Sequence, residues 1–217
     1  MPDFYYILKP MLLIAELVAA LVGLYYLITR NIGYWKYFSF YLVFIALQES
    51  FWHFGFGIDP NVKQNYYAYF GIPVQYLFLY WLYAFNSLQM PKLFWSCVGL
   101  YLLSYIPIEL WLKKLNVLYA LNLTIGTVIL MGLALLEFLK QIRDDSILNF
   151  RQNKMFYINA GVVLFYVGTY PLFCFYEQLR TRYQSIWNYY FLYFLLANIS
   201  MYLLFTFSFL WGTRGSK

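Results

Sequence analysis

Seven continuous apolar stretches divide the chain, at about 5–28, 37–57, 66–88, 93–112, 117–139, 155–177 and 187–211. Short polar links separate them: "TRNIGYWK", "IDPNVKQN", "QMPK", "KKLN", "KQIRDDSILNFRQNK" and "QLRTRYQS". A helix needs about 20 mostly apolar residues to cross the hydrocarbon core of a bilayer, and a spanning strand would be about half as long and would alternate. The pattern therefore predicts an all-α integral membrane protein. Its architecture would be a seven-transmembrane-helix bundle forming one polytopic domain over residues 1–217. The first run outlasts the apolar core of a signal peptide and lacks a basic start, so it reads as a retained span.

Orientation follows from the basic residues. One side carries Arg30, Lys36, Lys92, Lys140, Arg143, Arg151, Lys154, Arg214 and Lys217, nine of the 15 Lys and Arg; the other carries Lys9, Lys63, Lys113, Lys114, Arg180 and Arg182. The bias predicts N-terminus out and C-terminus in. The link 140–154 then becomes the longest cytoplasmic connection. It reads either as a solvated turn or as a docking surface for a membrane or cytoplasmic protein partner. Spans one to three and five to seven would enter the membrane in the same sense, and "NYYAYF" and "NYYFLYF" open spans three and seven, so parallel repeats are an open alternative.

Composition agrees with the pattern: 63% of the residues are hydrophobic and 11% charged, far from the quarter expected of soluble domains. The formal net charge of +6 is scattered among links. It implies affinity for lipid headgroups and no nucleic-acid surface. Cys97 and Cys174 lie in apolar runs and read as small buried hydrophobes. Aromatic residues make up 25% of the chain, and Tyr76, Phe78, Tyr80, Trp81, Tyr166 and Tyr193 fall mid-span. They read as packing or as the wall of a cavity. Pro73, Pro107 and Pro171 permit kinks that open space between helices.

Ionisable residues at membrane depth face protein or water in preference to lipid. Glu16 and Glu49 fall near mid-depth, and Glu16 shares a helix face with Ala20 and Gly23, small residues that let a neighbouring helix approach. His53, the only histidine, follows Glu49 at i,i+4 and so lies on the same face. The pair suits a proton site, a polar ligand contact or a hydrogen-bonded packing element. A catalytic zinc generally takes three protein ligands, and one histidine excludes bis-histidine haem ligation, so neither metal nor cofactor is expected. Gln75, Asn122, Thr169 and Tyr170, with Glu109 and Asn188, would lie in the outer half. They would line an outward-opening pocket floored by Glu16 and Glu49. Glu109 with Lys113, and Glu177 with Arg180, read as interfacial pairs. No GxSxG, HExxH or phosphate-binding loop occurs, and no enzymatic activity is expected.

The last third, "NKMFYINAGVVLFYVGTYPLF" and "WNYYFLYFLLANISMYLLFTFSFLWG", resembles an uncharacterised group of seven-span proteins of Bacteroidota. The resemblance rests on Phe156, Tyr157, Ile158 and Gly161 opening span six and on Asn198 and Ile199 in span seven. It implies a role in signal reception or an accessory role, and brings no site residues. The expectation is a non-enzymatic membrane sensor or accessory subunit holding a small molecule, a lipid or a partner helix. A small-solute or proton-coupled transporter, and a structural subunit of a larger membrane complex, are the alternatives.

Overall fold

The computed structural model describes residues 3–55, 59–106, 115–144, 146–175, 179 and 181–212, which are helical with short connections and contain no strand. Helix α1 is Asp3–Thr29 and α2 is Trp35–Phe54. The run 60–87, here α3, is helical throughout but interrupted by π-turns at Tyr67–Gly71 and Trp81–Ser87. Helix α4 is Pro91–Leu103 and α5 is Leu115–Arg143. The run 154–174, here α6, contains a third π-turn at Val163–Val167, and α7 is Gln184–Leu210.

Four of these helices are long and apolar enough to cross a membrane, over Phe4–Thr29, Leu121–Arg143, Lys154–Leu172 and Gln184–Leu210. Of the others, α2 is diluted by Gln48, Glu49 and His53, and α4 is short. Large apolar side chains cover the outside: Leu21, Ile28, Leu135, Leu139 and Tyr189 are all more than 60% exposed. A soluble monomer rarely presents apolar surface on this scale, whereas lipid solvates it.

Two differences from the sequence pattern move residues of the candidate sites. Helix α3 starts six residues before its apolar run, because Asp59 accepts a hydrogen bond from the Asn61 amide at 2.8 Å and Pro60 occupies the first turn. Tyr66 and Tyr67 thereby fall inside a helix that is already formed. Helix α5 runs on to Arg143, beyond the expected end at 139, so Lys140 and Gln141 belong to the helix and not to a loop. Asn153 caps α6 by accepting from the Met155 amide at 3.0 Å. Pro107, Glu109, Lys113, Lys114, Glu177, Arg180 and the side chain of Cys174 lie outside the described residues.

Helix α1 packs on α2 and α7, α7 on α6, and α5 on α3, α4 and α6. The α1–α2 contact is close because Gly23 leaves room for the Ser39 backbone, and Ala19 and Ala20 lie buried on the same helix. Phe38, Phe205 and Phe209 form the centre of this half, with Tyr41 stacked almost parallel on Phe78 at 4.2 Å between ring centroids.

The tyrosines of α3 fill the other half. Tyr76 donates to the Leu123 carbonyl at 3.2 Å and shares a 2.8 Å hydrogen bond with Thr127; Tyr80 donates to the Gly126 carbonyl at 2.8 Å. A helical carbonyl keeps a second lone pair after its i+4 bond, which these hydroxyls use. Tyr83 donates to Asn159, which donates in turn to the Ala134 carbonyl, so α3, α6 and α5 are tied through one fully buried carboxamide. The mid-span aromatics Tyr76, Tyr80 and Tyr166 are therefore packed between helices by hydrophobic burial, to which the hydroxyl bonds of Tyr76 and Tyr80 add.

The second π-turn of α3 ends in a tight cap. The Leu88 amide donates to the Tyr83 carbonyl, the Met90 amide donates to the Ala84 carbonyl, and Gln89 takes φ +57° between them. A left-handed position at a helix end favours glycine, since a side chain there costs about 1–2 kcal/mol. Gln89→Gly is expected to raise the stability of the detergent-solubilised protein by about 1 kcal/mol. A thermal melt showing a loss would mean that the Gln89 side chain contributes more than its strain removes.

Candidate functional site

Polar side chains gather at the two ends of the bundle. At the α2–α3 end, the Glu49 carboxylate accepts from Tyr67 Oη at 2.5 Å and from Gln48 Nε2 at 3.1 Å, both to Oε1. Tyr66 Oη donates to Gln48 Oε1 at 3.0 Å. Adjacent residues on α2 therefore each meet an adjacent tyrosine on α3. The π-turn beginning at Tyr67 adds a residue to the turn and helps present both phenols to α2. Lys63 lies over the rings of Trp52 and Tyr67, at 5.9 and 5.8 Å. Burial lowers the Lys63 pKa, the Glu49 charge opposes that shift, and Lys9 adds to it. The Trp52 indole N–H is buried with no hydrogen-bond partner.

Glu16 is 4% exposed and lies within electrostatic range of Glu49. The structure thus brings together two of the residues singled out in the sequence. The remaining five lie elsewhere. His53 is exposed with its ring edge-on to Phe54 at 5.0 Å, and Glu49 turns instead to Tyr67, which reaches it from the neighbouring helix. Gln75 is half-buried two turns further along α3 and takes no part in these hydrogen bonds. Asn122 accepts from Ser104 at 2.9 Å in the α4–α5 contact, and its amide nitrogen is buried without a partner. Thr169 is buried and donates to its own helix at the Phe165 carbonyl, 2.6 Å away. Tyr170 is half-buried one residue on.

The opposite end holds a centre that the pattern of apolar stretches did not reveal. Glu137 on α5 is 2% exposed and accepts from Ser87 Oγ at 2.6 Å and from Gln141 Nε2 at 3.0 Å. Lys140 Nζ donates to the Ser87 carbonyl at 2.5 Å and reaches Ser87 Oγ at 3.5 Å. Ser87 ends the second π-turn of α3, so the same turn that forms the Gln89 cap sets the Ser87 hydroxyl against α5. The only advance signal was the spacing of Glu137, Lys140 and Gln141, which places all three on one face once the helix is extended to Arg143. These residues border a cavity of about 390 Å³ whose lining also includes Tyr34, Asn86 and Asn153. Burial raises the Tyr34 pKa, and the Glu137 charge raises it further.

Among the described residues, no cluster of three His, Cys, Asp or Glu side chains converges on a metal-sized space. Both centres consist of carboxylates, phenols, hydroxyls, carboxamides and an ammonium group. Such sets bind through hydrogen bonds and charge, and can hold or pass a proton. No protein-family model, curated protein or solved structure matches the chain.

Proposed function

We propose that the chain is a seven-span membrane protein, N-terminus out and C-terminus in, that acts without catalysis as a sensor or accessory subunit. Its outer polar centre of Glu16, Glu49, Gln48, Tyr66 and Tyr67 holds a small molecule, a lipid or a polar group of a partner helix. The observation that supports this best is the Glu49 carboxylate bonded across helices to Tyr67, beside the buried Glu16 and the unpartnered Trp52 indole. Intramembrane carboxylates are retained where they serve a partner or a ligand. An occupant that bonds the Trp52 N–H and the free lone pairs of Glu49 would favour one α2–α3 arrangement over another, which is what a report through the membrane requires. The resemblance of the last third to sensor-like seven-span proteins points the same way.

A proton-coupled carrier is the second reading. It is favoured by the buried Glu137 at the opposite end, which gives both ends a carboxylate. Native mass spectrometry of protein extracted gently from its host membrane tests the first reading. Retained non-protein mass is expected on the wild-type chain and should fall at least tenfold in Glu49→Gln and Tyr67→Phe. Equal retention by well-folded variants would sink the outer site, and a stoichiometric protein partner would make the chain a complex subunit.

A further inference from the structure

A second cavity, of about 380 Å³, shares Lys140 and Asp144 with the first. Its other walls include Met90, Leu136, Leu139 and Arg143. Met90, Leu136 and Leu139 are 52, 42 and 62% exposed, and Leu135 and Ile142 extend the same apolar surface along α5. The cavity therefore opens towards the lipid-facing side. Lys140 spends its bonds on Ser87 but carries three N–H groups, and Arg143 makes no hydrogen bond with the described residues. Glu137 accepts two hydrogen bonds where a carboxylate has about four acceptor positions. From the lipid side inwards, the order is apolar wall, the cations Lys140 and Arg143 with the exposed Asp144 carboxylate at their edge, then a buried anion with carboxamides.

That order is the order of an amine-bearing phospholipid: acyl chain, phosphate, ammonium. We propose that the two cavities form one site for such a lipid, with its phosphate at Lys140 and Arg143 and its primary ammonium at Glu137. Basic pockets at the membrane interface are suited to phosphate headgroups. A primary ammonium is favoured over a quaternary one because its N–H groups can bond the Glu137 carboxylate. Among the described residues no free aromatic face lines the cavity for a quaternary ammonium, since Trp35 already carries the Lys154 ammonium at 5.1 Å and the ring of Tyr34 at 4.9 Å. This site lies at the opposite end from Glu49 and does not depend on the outer centre.

The test is native mass spectrometry of the full chain, delipidated in detergent and titrated with phosphatidylethanolamine, phosphatidylglycerol and phosphatidylcholine of identical acyl chains. Phosphatidylethanolamine is expected to saturate at one molecule per chain and to bind at least tenfold more tightly than the other two. Arg143→Ala changes an exposed residue and keeps the fold; it should weaken all three lipids about tenfold. Glu137→Gln should bring phosphatidylethanolamine down to the level of phosphatidylglycerol. Equal affinity of the wild type for the three lipids, or unchanged binding in Arg143→Ala, would overturn the assignment. Saturation by soluble phosphoethanolamine with no lipid binding would overturn the lipid source.

Discussion

Gly126→Ala is expected to destabilise the bundle by about 1–3 kcal/mol, the usual range for overpacking a filled core. A methyl group at Gly126 would stand 2.7 to 2.9 Å from three atoms of the Tyr76 ring. That ring is not a mobile side-chain end. It is 1% exposed, enclosed by Tyr80, Tyr101 and Tyr166 at centroid distances of 6.1, 5.4 and 5.5 Å, and tethered through its hydroxyl to Leu123 and Thr127. Moving it displaces three helices together. Gly132, on the same helix, has open space where its Cβ would stand, so Gly132→Ala should gain about 0.5–1 kcal/mol from lower backbone entropy in the unfolded chain. Thermal melts of the two variants in one detergent are the measurement. Equal stability would show that α3 and α5 are not packed as described, and Tyr76→Leu added to Gly126→Ala should recover much of the loss.

The same contrast shows how far a sequence of this kind can be read. Continuous apolar runs locate helices because the bilayer allows a backbone few other solutions, and the residues around Glu16 announce a buried face through the small side chains beside it. Glycine 126 and glycine 132 look alike in the sequence; only the arrival of Tyr76 from α3 separates them. Glu49 and His53 illustrate the same gap, since i,i+4 spacing says that two side chains share a face but not which one a neighbouring phenol will claim. The π-turns are harder still. One extra residue in a turn leaves no mark on an apolar pattern, yet the turn at Trp81–Ser87 ends at the hydroxyl that meets Glu137. Glu137 itself stands in the last turn of the span drawn to 139, where a carboxylate reads as a surface group. The extra turn of α5 and the packing of α3 leave it buried.

Glu137→Ala is therefore expected to cost about 2–3 kcal/mol, near the upper end of the penalty for stranding buried donors. Two donors lose an acceptor at once: Ser87 Oγ at 2.6 Å and Gln141 Nε2 at 3.0 Å. Their fates differ. The Ser87 oxygen goes on accepting from Lys140 at 3.5 Å but its O–H is left without the carboxylate, whereas Gln141 is 2% exposed and loses the carboxylate that accepts from its amide. Glu137→Gln should lose less than about 1 kcal/mol, because its carbonyl still accepts from Gln141 and its amide can donate to the Ser87 oxygen. Ser87→Ala in the Glu137→Ala background removes the stranded hydroxyl. The pair of changes should then cost about 0.5–2 kcal/mol less than their sum. Chemical or thermal unfolding of the four variants in one detergent gives the coupling directly, and strict additivity would mean that Ser87 and Glu137 do not share the hydrogen bond that joins α3 to α5.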